Sequence, residues 1–252
     1  MTNHRENLAN GAIYHGQWLM TTSTDLARAS SAIGFDYVCI DMQHGFARNE
    51  DILRLSDAIR AGGDSLVTAR VADNRFTEIG MLADAGIEAI IVPLVSNKEQ
   101  AKAAADALRY PDHGGNRSFG PTAPIVKGDP VNTSDIKPPL LFVMIENAEG
   151  FSNAEEICGV EGVDGIYIGP SDLALAVGST PGPEEQVTTD AIAKVLGIIQ
   201  DAGKIPGIHC SHGTEANKRR EQGFRFITTS SDIAAARAGF INDLKNGRGT
   251  ND

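Results

Sequence analysis

Short runs of β-branched and aliphatic residues alternate along the chain with longer Ala- and Leu-rich stretches of helical spacing. The runs predict eight strands, at 13–19, 37–40, 65–70, 89–92, 140–145, 165–168, 205–208 and 226–228. The stretches between them predict helices over 24–33, 49–61, 76–85, 97–108, 150–157, 188–202, 214–222 and 233–244. Ile52, Leu55 and Ile59 fall on one face of the second helix. A Ser or Thr caps the first helix and Asn97 the fourth, while Gly86, Gly203 and Gly223 mark stops. Eight strand–helix pairs in 252 residues predict an α/β chain folded as a (β/α)8 TIM barrel. Several strands are apolar throughout, as strands covered on both faces require. The rival is an open doubly wound sheet. No GxGxxG follows the first strand and no composition break divides the chain, so a single barrel domain over residues 1–252 is preferred. One proline- and glycine-rich stretch, 110–139, reads as a long loop over the mouth of the barrel.

Composition narrows the partners. With 22 Lys and Arg against 33 Asp and Glu, the net charge is −11, and such a surface repels a phosphate backbone. Nucleic acid is therefore not expected. The longest apolar run, 87–95, contains Glu88 and Pro93 and is too short to span a bilayer. The first eleven residues hold no apolar signal region. Cys39, Cys158 and Cys210 are widely separated and form no CxxC, which reads as reduced thiols in a cytoplasmic protein. Aromatic residues make up only 6% of the chain, so aliphatic side chains are expected to fill the core.

In a barrel the chemistry gathers at the C-terminal strand ends. Asp41, Gln43 and His44 follow the second strand, Arg70 ends the third, Glu146 and Asn147 follow the fifth, and Gly169-Pro170-Ser171-Asp172 follows the sixth. Glu146 and Asp172, on neighbouring strand ends, could share a divalent ion, and oxygen-only ligation suits Mg²⁺ or Mn²⁺, with Co²⁺ acceptable. Asp172 reads equally as a plain helix cap, and Glu146 as half of a salt bridge inside the barrel. The turn at 169–173 opens a helix whose free N–H groups can hold a carboxylate. An ion beside an anion hole is what a 2-keto acid needs to form an enolate. Arg70 could face the developing oxyanion or pair with a barrel carboxylate. His44 could act as general acid/base or be polar surface, and Asp84 is a candidate partner that would raise its basicity. His209, Cys210 and His212 form a competing zinc candidate without an obvious fourth ligand; pocket lining is the preferred role. No strand-end lysine suggests a Schiff base, Lys204 standing at the wrong end of its strand.

Four stretches carry a family resemblance: Ile40-Asp41-Met42-Gln43-His44; Arg109-Tyr110-Pro111 through Arg117-Ser118-Phe119-Gly120-Pro121; Met144-Ile145-Glu146; and Gly162-Val163-Asp164-Gly165-Ile166-Tyr167-Ile168-Gly169-Pro170-Ser171-Asp172-Leu173. Over nearly its whole length the sequence resembles the metal-dependent (class II) 2-keto-acid aldolases of the HpcH/HpaI family. The resemblance implies a phosphoenolpyruvate/pyruvate-domain-like barrel. It places the metal carboxylates on Glu146 and Asp172, the catalytic histidine on His44, its tuning aspartate on Asp84 and the transition-state arginine on Arg70. It assigns the keto-acid carboxylate to the backbone amides of Ser171 and Asp172. Many members carry Gln two positions before the metal glutamate, where it touches substrate; here that residue is Met144. The IDMQH and RSFGP motifs resemble a branch of hydroxy-ketoacid aldolases that also accept hydroxypyruvate. The family is typically hexameric, with the C-terminal helix packed on or exchanged with a neighbour, and Ile233, Ala236 and Phe240 suit that as well as they suit packing within one subunit.

These readings converge on an expected activity. It is reversible aldol cleavage of a 4-hydroxy-2-keto acid to pyruvate or hydroxypyruvate and an aldehyde, in a cytoplasmic homo-oligomer with no membrane partner. The alternatives are oxaloacetate decarboxylation in the same site and a barrel that binds a keto acid without turnover.

Overall fold

The computed structural model describes residues 3–181 and 185–249. Eight parallel strands close in chain order into one barrel: β1 (Tyr14–Leu19), β2 (Tyr37–Asp41), β3 (Leu66–Arg70), β4 (Ala89–Val92), β5 (Leu140–Ile145), β6 (Gly165–Ile168), β7 (Ile205–His209) and β8 (Phe226–Ser231). Closure excludes the open doubly wound sheet. The strands lie within two residues of the predicted ends except at β8, where a polar Thr-Thr-Ser-Ser run carries the ladder onward and a register shift at Gly16 and Gln17 of β1 accommodates it.

The helices are α1 (His4–Ala9), α2 (Thr24–Ile33), α3 (Ile52–Gly62), α4 (Phe76–Asp84), α5 (Lys98–Leu108), α6 (Thr122–Lys127), α7 (Ala148–Ser152), α8 (Ala154–Cys158), α9 (Pro170–Ala176), α10 (Gln186–Asp201), α11 (Gly213–Gln222) and α12 (Asp232–Arg248). Ser23 and Asn97 accept backbone N–H groups at the starts of α2 and α5, as expected of caps. The stretch predicted as one helix at 150–157 is two short helices, α7 and α8, meeting at Asn153.

Alternation along the strands sorts side chains into two cores. One set packs between strands and helices and is mainly aliphatic, with Phe224 its one fully buried aromatic residue among those described. The other fills the barrel, and there the few aromatic residues are concentrated: Tyr37 stacks on Phe226 at 3.9 Å, Phe226 on Phe142 at 4.4 Å, and Trp18 on Tyr167 at 5.8 Å. The expectation of an aliphatic core therefore holds only for the outer layer. Glycine makes the aromatic interior possible: Gly16 pairs with Tyr37, and a Cβ there would lie 2.0 Å from the tyrosine ring. The buried hydroxyls of Tyr37 and Tyr167 both bond Thr228 Oγ1, at 2.8 and 2.5 Å.

The long stretch 110–139 does not cover the mouth. It follows α5, which has carried the chain back to the other end of the barrel. There Arg5 of α1 donates to the carbonyls of Pro138 and Pro139, and Leu8 seals the barrel floor, fully buried. The stretch also contains α6 and two single-turn 3₁₀ segments rather than being structureless. At the opposite rim, α12 contacts β1 and β8, yet Asp232 is its only buried residue among those described. Ile233 is 42% exposed and Phe240 72%, so packing within one subunit does not cover its apolar face.

Candidate active site

The two-residue period of the strands aims Asp41, Arg70 and His209 into the barrel mouth, in phase with Tyr37 and Cys39, with Leu66 and Thr68, and with Ile205. Glu146 continues the inward row of Phe142 and Met144. These residues line one cavity of about 830 Å³ together with Trp18, His44, Ser171, Asp172 and residues of α12. The cavity lies at the C-terminal strand ends, where barrel function is built.

Glu146 forms its floor, 2% exposed. Its Oε1 accepts the Leu94 N–H at 2.8 Å. Leu94 holds a left-handed backbone, φ 55°, uncommon for a branched residue, so the donor is placed at a conformational cost. Burial, and then the charge of Asp172, push the Glu146 carboxyl up to about 7, against the opposing Leu94 bond and Arg70. Gly169 leaves the second oxygen its space: a Cβ there would lie 2.5 Å from Oε2. Asp172 is exposed at the rim, in the first turn of α9. The first backbone bond of that turn runs from Leu173 N–H to the Gly169 carbonyl, which leaves the N–H groups of Ser171 and Asp172 ahead of it. Met144 is buried beside Glu146 and lines the same cavity.

Arg70 is 8% exposed and bonds Asp41 through both arms, Nε to Oδ1 at 2.8 Å and Nη2 to Oδ2 at 2.6 Å. Burial alone would raise the Asp41 carboxyl, but the paired guanidinium holds it below its ordinary range. The Trp18 ring covers the guanidinium at 5.0 Å. Of the two readings left open for Arg70, the pairing with a barrel carboxylate is present, and the guanidinium also lines the central cavity. Asp41 Oδ1 also accepts the N–H groups of Gln43 and His44, at 3.0 and 3.3 Å, which ties the His44 loop to the arginine. Sequence reasoning gave Asp41 no role, although its phase with Tyr37 and Cys39 was legible.

His209 stands edge-on to Trp18 at 5.1 Å. Burial, then the charge of Arg70, push its imidazole down to about 4, so it is neutral at physiological pH. Trp18 was likewise missed as a site residue. The zinc alternative is not assembled: Cys210 is buried, His212 Nδ1 accepts the Glu215 N–H as the cap of α11, and among the described residues no three His, Cys, Asp or Glu side chains converge on a metal position. Asp84 does not meet His44 within the chain. It ends α4, pairs with Arg117 Nη2 at 2.6 Å, and lines a separate groove with residues of α3 and α4. The physical reason is that α4 runs away from the mouth, so its last residue lies toward the other end of the barrel.

No lysine lines the central cavity among the described residues; the carboxylates, arginine and histidines that converge on it are groups suited to electrostatic and acid–base chemistry. The model of the HpcH/HpaI aldolase/citrate lyase family matches residues 15–238, and the chain belongs to this family. It is 37% identical to a hydroxypyruvate/pyruvate aldolase of Rhizorhabdus wittichii over 86% of this chain and 87% of that protein. It is 32% identical to a pyruvate aldolase of Rhizobium etli over 92% of each. A solved HpcH/HpaI aldolase/citrate lyase family structure from Burkholderia cenocepacia J2315 superposes with a TM-score of 0.89 at 25% identity, covering 98% of this chain and 100% of that one.

Proposed function

We propose that the chain is a divalent-metal-dependent pyruvate aldolase, cleaving 4-hydroxy-2-keto acids reversibly to pyruvate or hydroxypyruvate and an aldehyde. The observation that carries this reading is the pair of carboxylates beside a buried arginine. Glu146 is desolvated and raised to about 7 partly by Asp172, a conflict that a cation between them would relieve. The donor set is oxygen only and fits a hard divalent ion, Mg²⁺ or Mn²⁺, with Co²⁺ acceptable. Glu146 and Asp172 would hold it, leaving positions for substrate oxygens. When bound, such an ion polarises the keto group and favours the enolate.

The chain's own residues do the rest. The N–H groups of Ser171 and Asp172 take the keto-acid carboxylate. Arg70, fixed by Asp41, faces the oxyanion that forms. In cleavage, His44 accepts the proton of the 4-hydroxyl, the C3–C4 bond breaks with its electron pair passing into the enolate, and the aldehyde leaves. The proton is then returned to C3, giving the free keto acid. Asp84 can tune His44 only across a contact between two copies of the chain. A homo-oligomer, a hexamer by family resemblance, is part of this proposal and is supported by the uncovered face of α12. Three free, buried thiols suit a cytoplasmic location, and no helix among the described residues is long and apolar enough to cross a membrane.

The test is an assay of chelator-treated enzyme with pyruvate or hydroxypyruvate against a panel of aldehydes, restoring one metal at a time. Metal-dependent carbon–carbon bond formation, lost in Glu146→Ala at every metal concentration, is expected. Pyruvate release from oxaloacetate with no aldehyde turnover would replace the reading with decarboxylation, and metal-dependent binding without any turnover would replace it with a keto-acid-binding barrel.

A further inference from the structure

Beside the central cavity lies a second one of about 440 Å³, within the size range of small-ligand sites. It opens off the same rim: Pro170, Ser171 and His209 line both. From the end of β7 it reaches outward between α9, α10 and α11, away from the barrel axis. Hydroxyl-bearing residues dominate its wall, Thr188 and Thr189 from α10 and Ser211 and Thr214 from the approach to α11.

Two of its residues ask for a hydrogen-bonding guest. Thr188 is 7% exposed, and its Oγ1 is buried with no partner. A buried hydroxyl without a partner is rare, because it forfeits its water bonds for nothing. His209, on the shared wall, is a neutral imidazole, which offers one donor and one acceptor. Charged side chains also line this cavity: Glu215, Lys218 and Arg219. Glu215 Oε1 lies 3.8 Å from the Arg219 guanidinium, and Glu215 Oε2 accepts the Ser211 N–H at 2.9 Å. The hydroxyl-rich wall, the unpartnered Thr188 hydroxyl and the His209 ring nitrogens therefore suit a guest that carries hydroxyl groups.

We propose that this side cavity is the acceptor subsite, taking the hydroxylated tail of the aldehyde past His209 while the keto acid occupies the barrel mouth. The inference rests on the aldolase reading and names the substrate class within it: polyhydroxylated aldehydes of about four carbons. Pro170, Ser171 and His209 line both cavities, so the side cavity opens directly onto the barrel mouth. A tail of the same shape without hydroxyls would enter but leave Thr188 and His209 unpaired, and a polar site rejects such analogues more strongly than an apolar one rejects added hydroxyls.

The experiment compares kcat/KM for matched aldehydes with pyruvate and Mg²⁺: glycolaldehyde against acetaldehyde, and D-erythrose against butanal. The expected result is a preference of at least tenfold for D-erythrose over butanal, with a smaller preference in the two-carbon pair. Thr188→Val and, at the exposed wall, Thr214→Val should each lower the D-erythrose to glycolaldehyde ratio several-fold. Equal rates for D-erythrose and butanal, or an unchanged ratio in both variants, would overturn the subsite while leaving the aldolase intact. Failure of every aldehyde to react would overturn the aldolase reading and the subsite with it.

Discussion

Glu146 and His209 share one cavity and are displaced in opposite directions, and this sets an unusual pH dependence for the metal-free protein. The Glu146 carboxyl rises from its ordinary 4.5 to about 7. A carboxylate whose folded value is raised contributes fully below its unfolded value and loses that contribution as pH rises through the folded one. The loss is about 3 kcal/mol between pH 4.5 and 7, at 1.36 kcal/mol per unit. The His209 imidazole falls from 6.5 to about 4. It costs nothing above pH 6.5, and destabilises by about 3 kcal/mol as pH falls from 6.5 to 4, because the unfolded chain binds a proton that the folded one refuses. The two slopes nearly cancel in the wild type. Urea unfolding in chelator across pH 4.5–7.5 should separate them. Glu146→Gln should gain stability relative to wild type as pH rises through this window, approaching about 3 kcal/mol at the top. His209→Asn should gain relative to wild type as pH falls. The double variant should combine the two gains, giving an advantage over wild type that is nearly independent of pH across the window, and saturating Mg²⁺ should abolish the Glu146 effect. Curves for Glu146→Gln and wild type that stay parallel across the window would refute the reasoning, whatever the absolute stabilities.

Other consequences follow from the same geometry. Asp41→Asn removes the charge that holds Arg70 from two sides; unfolding in urea should show a loss of about 3–5 kcal/mol, the range for stranding one member of a buried pair, and an unchanged stability would remove the pair from the argument. Gly169→Ala has an ordinary backbone, φ −95°, but its Cβ would press on Glu146 Oε2. Calorimetric Mg²⁺ titration should give about 10–100-fold weaker binding with the melting temperature nearly unchanged, and wild-type affinity would show that this oxygen is not a ligand. Arg70→Lys keeps the charge but not the planar fork; kcat for retro-aldol cleavage should fall about 10²–10³-fold while Mg²⁺ affinity stays within a few-fold, and unaltered turnover would exclude Arg70 from charge stabilisation.

Strand positions were legible because each strand is a short apolar run bounded by turn residues, and β4, β5 and β6 match their predicted limits. The polar residues just beyond those runs followed from barrel geometry, which is why Glu146, Arg70, His44 and Asp172 could be chosen and do line one cavity. Asp41 was named with them yet left without a role, because its partner Arg70 lies 29 positions away and only the register of β2 on β3 sets them opposite each other. Trp18 was missed for the same reason, because it is on β1 and meets His209 of β7 only through barrel closure, while His209, read as pocket lining, does line the cavity. The misplacement of 110–139 came from assigning a loop to the strand before it rather than to α5.

What the linear order determined is the alternation of strands and helices, the eightfold count and the side of each strand that faces inward. These depend on periods of two and 3.6 residues, which are local. Closure decided the rest: which charges neutralise one another, how far burial displaces Glu146 and His209, and that Asp84 and His44 lie apart in a single chain. Such effects depend on distance and on exclusion of water, and neither exists until strands remote in the chain are brought side by side.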